Sequence, residues 1–181
     1  MMITLQSLVD LHKVDAKFIV DVGGYKGEYA ELVFTKYKGD CEIVIYEPIN
    51  YQGVQERFKN NSNIHIVPMA VGGEVGVRSI YISEAATSFF KHWNNSEVSE
   101  KVPVCLLSTE ITEKKVDILK LNCEGAEYEI LDDLSRNDLI KDIGEILIQF
   151  HKVHKRDEYE EMLSKTHTKT FDFKWQLWVK K

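Results

Sequence analysis

Cysteine, proline and long apolar runs are all scarce in this sequence, and each scarcity removes a class of protein. There are three cysteines and three prolines among 181 residues. Cys41, Cys105 and Cys123 form neither a C-x-x-C pair nor a disulfide framework, which reads as a reducing, cytoplasmic setting. Each lies in or beside an apolar run, where a buried free thiol is the ordinary outcome. No apolar stretch approaches the ~20 residues that a membrane-spanning helix needs. The opening "MMITLQSLVDLHKVD" has no basic start followed by a long apolar block. Asp10, His12 and Asp15 interrupt it, so it reads as a short amphipathic helix and not as a signal peptide. Positive charge is also short. A net charge of -6 and a pI of about 5.6 argue against general affinity for nucleic acid, which depends on neutralising phosphates. His12, His65, His92 and His167 are scattered. His151 and His154 are three apart but have no acidic partner at helical or hairpin spacing, so no metal site is expected.

What is present is an alternation. Short apolar runs at 17–22, 41–48, 64–71, 116–122 and 145–151 are separated by amphipathic segments such as "GEYAELVFTKY", "NYQGVQERFKN", "GAEYEILDDL" and "KRDEYEEMLSK". Near-continuously apolar strands alternating with helices imply a parallel sheet covered on both faces. The regularity breaks between the third and fourth runs, where "GVRSIYIS" and "VPVCLL" suggest extra strands around a polar loop. "FDFKWQLWVKK" closes the chain with alternating aromatics and lysines and reads as an antiparallel edge strand. The expectation is an α/β, doubly wound, Rossmann-like single domain over 1–181. Its sheet is mostly parallel, with an antiparallel C-terminal strand and a β insertion between strands three and four.

The glycines of "FIVDVGGYKGEYAEL" stand at the first strand-to-helix turn, where such sheets bind ligands. A dinucleotide loop needs G-x-G-x-x-G, and Tyr25 occupies its second glycine position. Asp21 would also oppose a pyrophosphate. S-adenosylmethionine fits better, being cationic and free of phosphate. The N–H groups of Gly23, Gly24, Tyr25 and Gly27 are candidates for its carboxylate, Asp21 for its cationic or N–H-rich part, and Glu47 for a bidentate bond to the ribose diol. The bland alternative is that the glycines only shape a turn and Glu47 is exposed.

The chain also resembles the FkbM-type family of S-adenosylmethionine-dependent methyltransferases. The resemblance rests on Asp21-Val22-Gly23-Gly24-Tyr25-Lys26-Gly27-Glu28-Tyr29, on Glu47-Pro48, and on the run from Asp117 to Glu127, "DILKLNCEGAE". Weaker support comes from "MAVGGEVG", "TSFF" and "LIQFH", all in the expected order between about residues 17 and 152. The resemblance implies methyl transfer to a hydroxyl, often on a glycan or secondary metabolite. It places Pro48, Met69 and Ala70 beside the cofactor and Lys120, Asn122, Glu124 and His151 at the catalytic rim. Two departures stand out. Asn122 replaces the family's aspartate, and Gln149 replaces the glutamate of its Glu-x-His; each keeps the shape of a carboxylate and loses its charge and basicity.

In-line methyl transfer to a hydroxyl needs alignment and a base. His151 is the expected general base, with a structural histidine as the alternative. Glu124 either orients substrate or favours the next helix by its charge. Phe89, Phe90 and Trp93, with Asn94 and Asn95, are expected either to stack on a sugar and bond to it or to form a lid packed back on the domain. The expected partner is a small-molecule or glycan acceptor, with the oligomeric state left open. Two other readings remain: a cofactor-binding module with weakened catalysis, which Asn122 and Gln149 would allow, and a nicotinamide enzyme, which Asp21 and Tyr25 disfavour.

Overall fold

The computed structural model describes residues 3–82, 87–89, 99–151 and 155–181. In chain order the elements are α1 (Leu5–Leu11), β1 (Phe18–Val22), α2 (Glu28–Lys36), β2 (Glu42–Tyr46), α3 (Tyr51–Phe58), β3 (Ile64–Val67), β4 (Ala70–Val71), β5 (Gly76–Ile82), β6 (Thr87–Ser88) and β7 (Ser99–Cys105). They continue with α4 (Leu107–Ile111), β8 (Ile118–Leu121), α5 (Glu127–Arg136), β9 (Glu145–Ile148), α6 (Arg156–Ser164), β10 (His167–Asp172) and β11 (Gln176–Lys180).

The apolar runs pair as the alternation requires. β1 pairs in parallel with β2 and β8, β2 with β3, and β8 with β9, in a seven-stranded sheet of order β10-β11-β9-β8-β1-β2-β3. β8 and β9 are buried along their whole length because helices cover both faces. On one face Ile19, Ile43, Ile45, Ile118 and Leu147 pack with Leu8, Tyr29, Val33 and Val54 of α1, α2 and α3. On the other, Val20, Val22, Val44, Leu119, Leu121 and Ile148 pack with Ile111, Ile130, Leu134 and Leu163 of α4, α5 and α6. The N-terminal segment is the expected short amphipathic helix. Thr4 and Ser7 form a reciprocal capping box, and Leu8 and Val9 are its buried face.

Two expectations are corrected. The third apolar run is not one strand: it breaks at Pro68, which lacks the N–H that would continue β3, and Ala70–Val71 leave for a second sheet of order β4-β7-β5-β6. That sheet is the expected β insertion. The C-terminal strand is antiparallel as expected, but it is not an edge. β11 lies between β9 and β10, with Leu177 and Trp178 each 2% exposed, and β10 takes the edge. A pattern of aromatics and lysines reports amphipathicity and carries no information on which strands flank it. Trp175 is buried with the α1 cluster.

Strand order reverses at β1, whose chain neighbour β2 lies on one side and β8 on the other. The crevice beyond the carboxyl ends of β1 and β8 is therefore the ligand position of such a sheet. It lies between Val22-Gly23 and Leu121-Asn122.

Candidate active site

The glycine loop turns back on the end of β2. Gly23 and Gly24 donate their N–H groups to Tyr46 O (3.0 and 3.4 Å), Gly27 to Gly24 O (2.8 Å), and Tyr25 to Glu47 Oε2 (2.8 Å). These donors are engaged inside the fold, where they hold the loop against the end of β2. Gly23 is required by close approach: its φ is +76°, and a Cβ there would lie 2.0 Å from Asn122 O. Tyr25, at φ +51°, takes a left-handed conformation without being glycine and leaves its side chain exposed.

Glu47 is buried at 6% exposure, so the exposed alternative fails. Besides Tyr25 N–H, its Oε1 accepts from the N–H groups of Ile49 (2.9 Å) and Asn50 (3.0 Å). The carboxylate thus caps the entry to α3, where Asn50 makes no side-chain cap bond. Of about four acceptor positions on a carboxylate, three are filled. A bidentate bond to a ribose diol would have to displace one of them. Pro48 follows, half-buried; Met69 is half-buried against the larger core and Ala70 is buried in the second sheet. A cavity of about 500 Å³ opens beside this turn, lined by Lys26, Ile49, Asn50, Gln52, Gly53, Val54 and Arg57.

Asp21 is fully buried and lies 2.7 Å, through Oδ1, from Lys120 Nζ. Lys120, 3% exposed, also donates to Gly23 O (2.7 Å) and Val22 O (3.4 Å); Asp21 Oδ1 is held by this ion pair, and Oδ2 has no hydrogen-bond partner among the described residues. Lys120 therefore braces the loop from beneath. Its ammonium faces the carbonyls of Val22 and Gly23 and the Asp21 carboxylate. Asn122 follows β8 with a buried Oδ1 that has no hydrogen-bond partner among the described residues. Two acceptors, at Asp21 and Asn122, thus stand unbonded at the switch point.

The opposite lip is the turn from β8 to α5. Glu127, fully buried, accepts from Cys123 N–H (2.9 Å) and Gly125 N–H (2.8 Å), and its Oε1 is 2.8 Å from His151 Nδ1. His151 Nε2 lies 3.4 Å from Glu124 Oε1 and 3.1 Å from the Gln149 amide nitrogen, a contact that suits a neutral ring; a ring carrying both protons requires the amide turned to present its oxygen. Burial alone would lower this histidine's pKa, but the hydrogen bonds and charges of Glu124 and Glu127 outweigh it and raise the ring to about 9. A pKa near 9 favours the protonated ring at neutral pH, a form with no lone pair to offer as a base. Burial, with the charge of Glu127, pushes the adjacent Cys123 thiol well up, keeping it neutral.

Glu127 was legible only as the last residue of a matched motif. Its signal is an acid at the first helical position, four residues after Cys123 and two after Gly125, in reach of both N–H groups. Ser88, 1% exposed, donates to Glu124 O (2.7 Å) and fastens the insertion to this turn. Phe89 is half-buried, with the Arg78 guanidinium 4.0 Å from its ring centre, so one face is already taken. Phe90, Trp93, Asn94, Asn95, His92 and His154 lie outside the described residues. Among the described residues no cluster of His, Cys, Asp or Glu suits a metal ion, and no helix is long and apolar enough to cross a membrane.

The profile of the Methyltransferase FkbM domain matches residues 21–173, from the glycine loop to the end of β10. The chain belongs to the FkbM methyltransferase family. An FkbM methyltransferase from Methylobacillus flagellatus KT superposes with a TM-score of 0.64 at 19% identity, covering 94% of this chain and 45% of that one. The chain thus spans less than half the length of that relative. A putative rRNA methylase from Clostridium thermocellum gives 0.59 at 10% identity, over 97% and 92% of the two chains. TrmK from M. capricolum, in complex with S-adenosylhomocysteine, gives 0.52 at 11%, over 97% and 65%. At these identities the likeness is one of fold. No curated protein matches the sequence.

Proposed function

We propose that this FkbM-family chain transfers a methyl group from S-adenosylmethionine to a hydroxyl of a small-molecule or glycan acceptor. The observation that carries the reading is the pair of buried, unbonded acceptors, Asp21 Oδ2 and Asn122 Oδ1, at the sheet's switch point. A site lined by carboxylates and orphan oxygens suits a cationic, N–H-bearing ligand and repels a pyrophosphate. Family membership and the TrmK complex with S-adenosylhomocysteine support the same class of ligand.

In this reading Asp21 faces the cationic methionyl end, Glu47 offers its remaining lone pair to the ribose, and Pro48, Met69 and Ala70 flank the nucleoside. Tyr25, Gly23, Gly24 and Gly27 contribute the shape of the loop and not its donors. The bound cofactor supplies a carbon already activated by sulfonium, leaving the protein to align acceptor and methyl and to exclude water. Asn122 and Gln149, amides where relatives carry carboxylates, favour a second reading: a cofactor-binding module with weak catalysis. Calorimetry with S-adenosylmethionine, S-adenosylhomocysteine and NAD tests the first premise; binding of NAD alone overturns it. Turnover of labelled cofactor across a panel of hydroxyl acceptors separates enzyme from module.

A further inference from the structure

The four motif carboxylates around the crevice differ sharply in what they have left to give. Asp21 is fully buried against Lys120, on the face of the sheet that α2 covers. Glu47 is filled by three backbone N–H groups. Glu127 is fully buried and bonded to Cys123, Gly125 and His151. Glu124 alone of the four keeps an open carboxylate: its side chain is 26% exposed, and among the described residues it meets His151 Nε2 at 3.4 Å.

The backbone under Glu124 is braced to hold that side chain out. Its φ is +50°, followed by Gly125 at +106°, a conformation that costs about 1 kcal/mol or more for a residue with a Cβ. Glu127 ties the turn down through the N–H groups of Cys123 and Gly125, and Ser88 Oγ holds the carbonyl of Glu124. The turn also overlooks the glycine loop. β1 and β8 are in register from Ile19 with Ile118 to Val22 with Leu121, and Gly23 packs on the carbonyl of Asn122. Strained backbone fixed from three sides, with the open functional group on the fourth, is the signature of a preorganised site.

From this geometry we infer that Glu124 is the proton acceptor for the methyl-accepting hydroxyl, with His151 and Glu127 as positioning residues. The inference rests on the methyltransferase reading given above. In the transfer the acceptor oxygen forms a bond to the methyl carbon and the bond from sulfur to that carbon breaks. Its electron pair stays on sulfur, leaving a neutral thioether, and the hydroxyl proton passes to the Glu124 carboxylate. His151, already protonated and held by Glu127 through Nδ1, turns Nε2–H toward Glu124 and fixes the orientation of its carboxylate without competing for the proton.

A test independent of acceptor identity uses sinefungin, in which a carbon bearing an ammonium replaces the sulfonium and its methyl. If Glu124 faces the transferred methyl, that ammonium lies against its carboxylate. Glu124→Gln then weakens sinefungin by about tenfold or more, the scale of a charge-assisted bond, and leaves S-adenosylhomocysteine within about twofold. Glu124→Asp, charged but shorter, recovers part of the sinefungin loss. His151→Gln gives a smaller selective loss, again sparing S-adenosylhomocysteine. Thermal melts confirm that the variants fold. Equal losses for both ligands, or none for either, overturn the inference and leave the cofactor reading standing. Failure of both ligands to bind the unsubstituted protein overturns the cofactor reading, and the inference with it.

Discussion

The two lips of the crevice are built on opposite plans. On the cofactor side, Asp21, Lys120, Glu47 and the glycine loop are buried, and their polar groups are largely turned on one another. On the acceptor side, Glu124 and His151 are partly open, and a fully buried Glu127 carries the structural bonds for both. Residues that define a family motif can thus be closed framework on one lip and partly open groups on the other. The same motif carboxylate type, Glu47 or Glu124, is either according to how many backbone N–H groups surround it.

Breaking the cofactor lip is expected to cost stability first. Lys120→Met leaves Asp21 as a buried carboxylate without a counter-charge, and the loss of a partner in such a pair costs about 3–5 kcal/mol. Urea unfolding measures it. The Asp21→Asn/Lys120→Met double variant should recover most of that loss, because the cost lies in the orphaned charge and not in the missing pair. Equal instability of single and double variants would show that the pair's attraction itself is what stabilises the loop.

Glu47→Ala comes next. It frees the N–H groups of Tyr25, Ile49 and Asn50, and unsatisfied donors at a partly buried turn cost about 1–3 kcal/mol in total where water can reach some of them. Cofactor affinity should fall along with stability, because the loop and the entry to α3 move together. A variant that lost affinity with an unchanged unfolding curve would return Glu47 to a role toward ligand alone.

This division explains what the sequence could and could not disclose. The alternation of apolar runs and amphipathic segments is local, so the parallel sheet and the order of its elements were readable from the chain. The match of Asp21, Glu47 and the run to Glu127 then marked both lips. The split at Pro68, the central place of β11 and the raised pKa of His151 were not readable, because each depends on neighbours set by the fold. His151 meets Glu127, which is 24 residues away in sequence, and only that meeting, with Glu124, raises the ring's pKa to about 9. Likewise the family spacing identified Glu47, while the three N–H groups that fill it come from a turn whose geometry no spacing encodes.

The smallest expected effect lies on the acceptor lip and sharpens the contrast by its sign. The folded His151 has its pKa raised to about 9, above the ~6.5 of an unfolded histidine. A group shifted upward stabilises the fold fully below its unfolded pKa, and that contribution drains as pH rises from about 6.5 through about 9. The groups facing the ring from the β8–α5 turn and from α5 are Glu124 and Glu127, with the Gln149 amide beside it. The neighbouring Cys123 thiol is held well above its ordinary pKa and stays neutral over this window. Unfolding free energy should therefore decline by about 1 kcal/mol between pH 6.5 and 9.5, a modest amount for a pair that solvent partly reaches. The decline should vanish in His151→Gln. In Glu127→Gln the His151 ring, followed by NMR titration, should fall from about 9 back toward an ordinary histidine, while the Asp21–Lys120 framework keeps the cofactor lip in place. A titration of His151 that did not move in Glu127→Gln would mean that Glu127 holds the turn and not the charge, and the acceptor lip would then be framework as well.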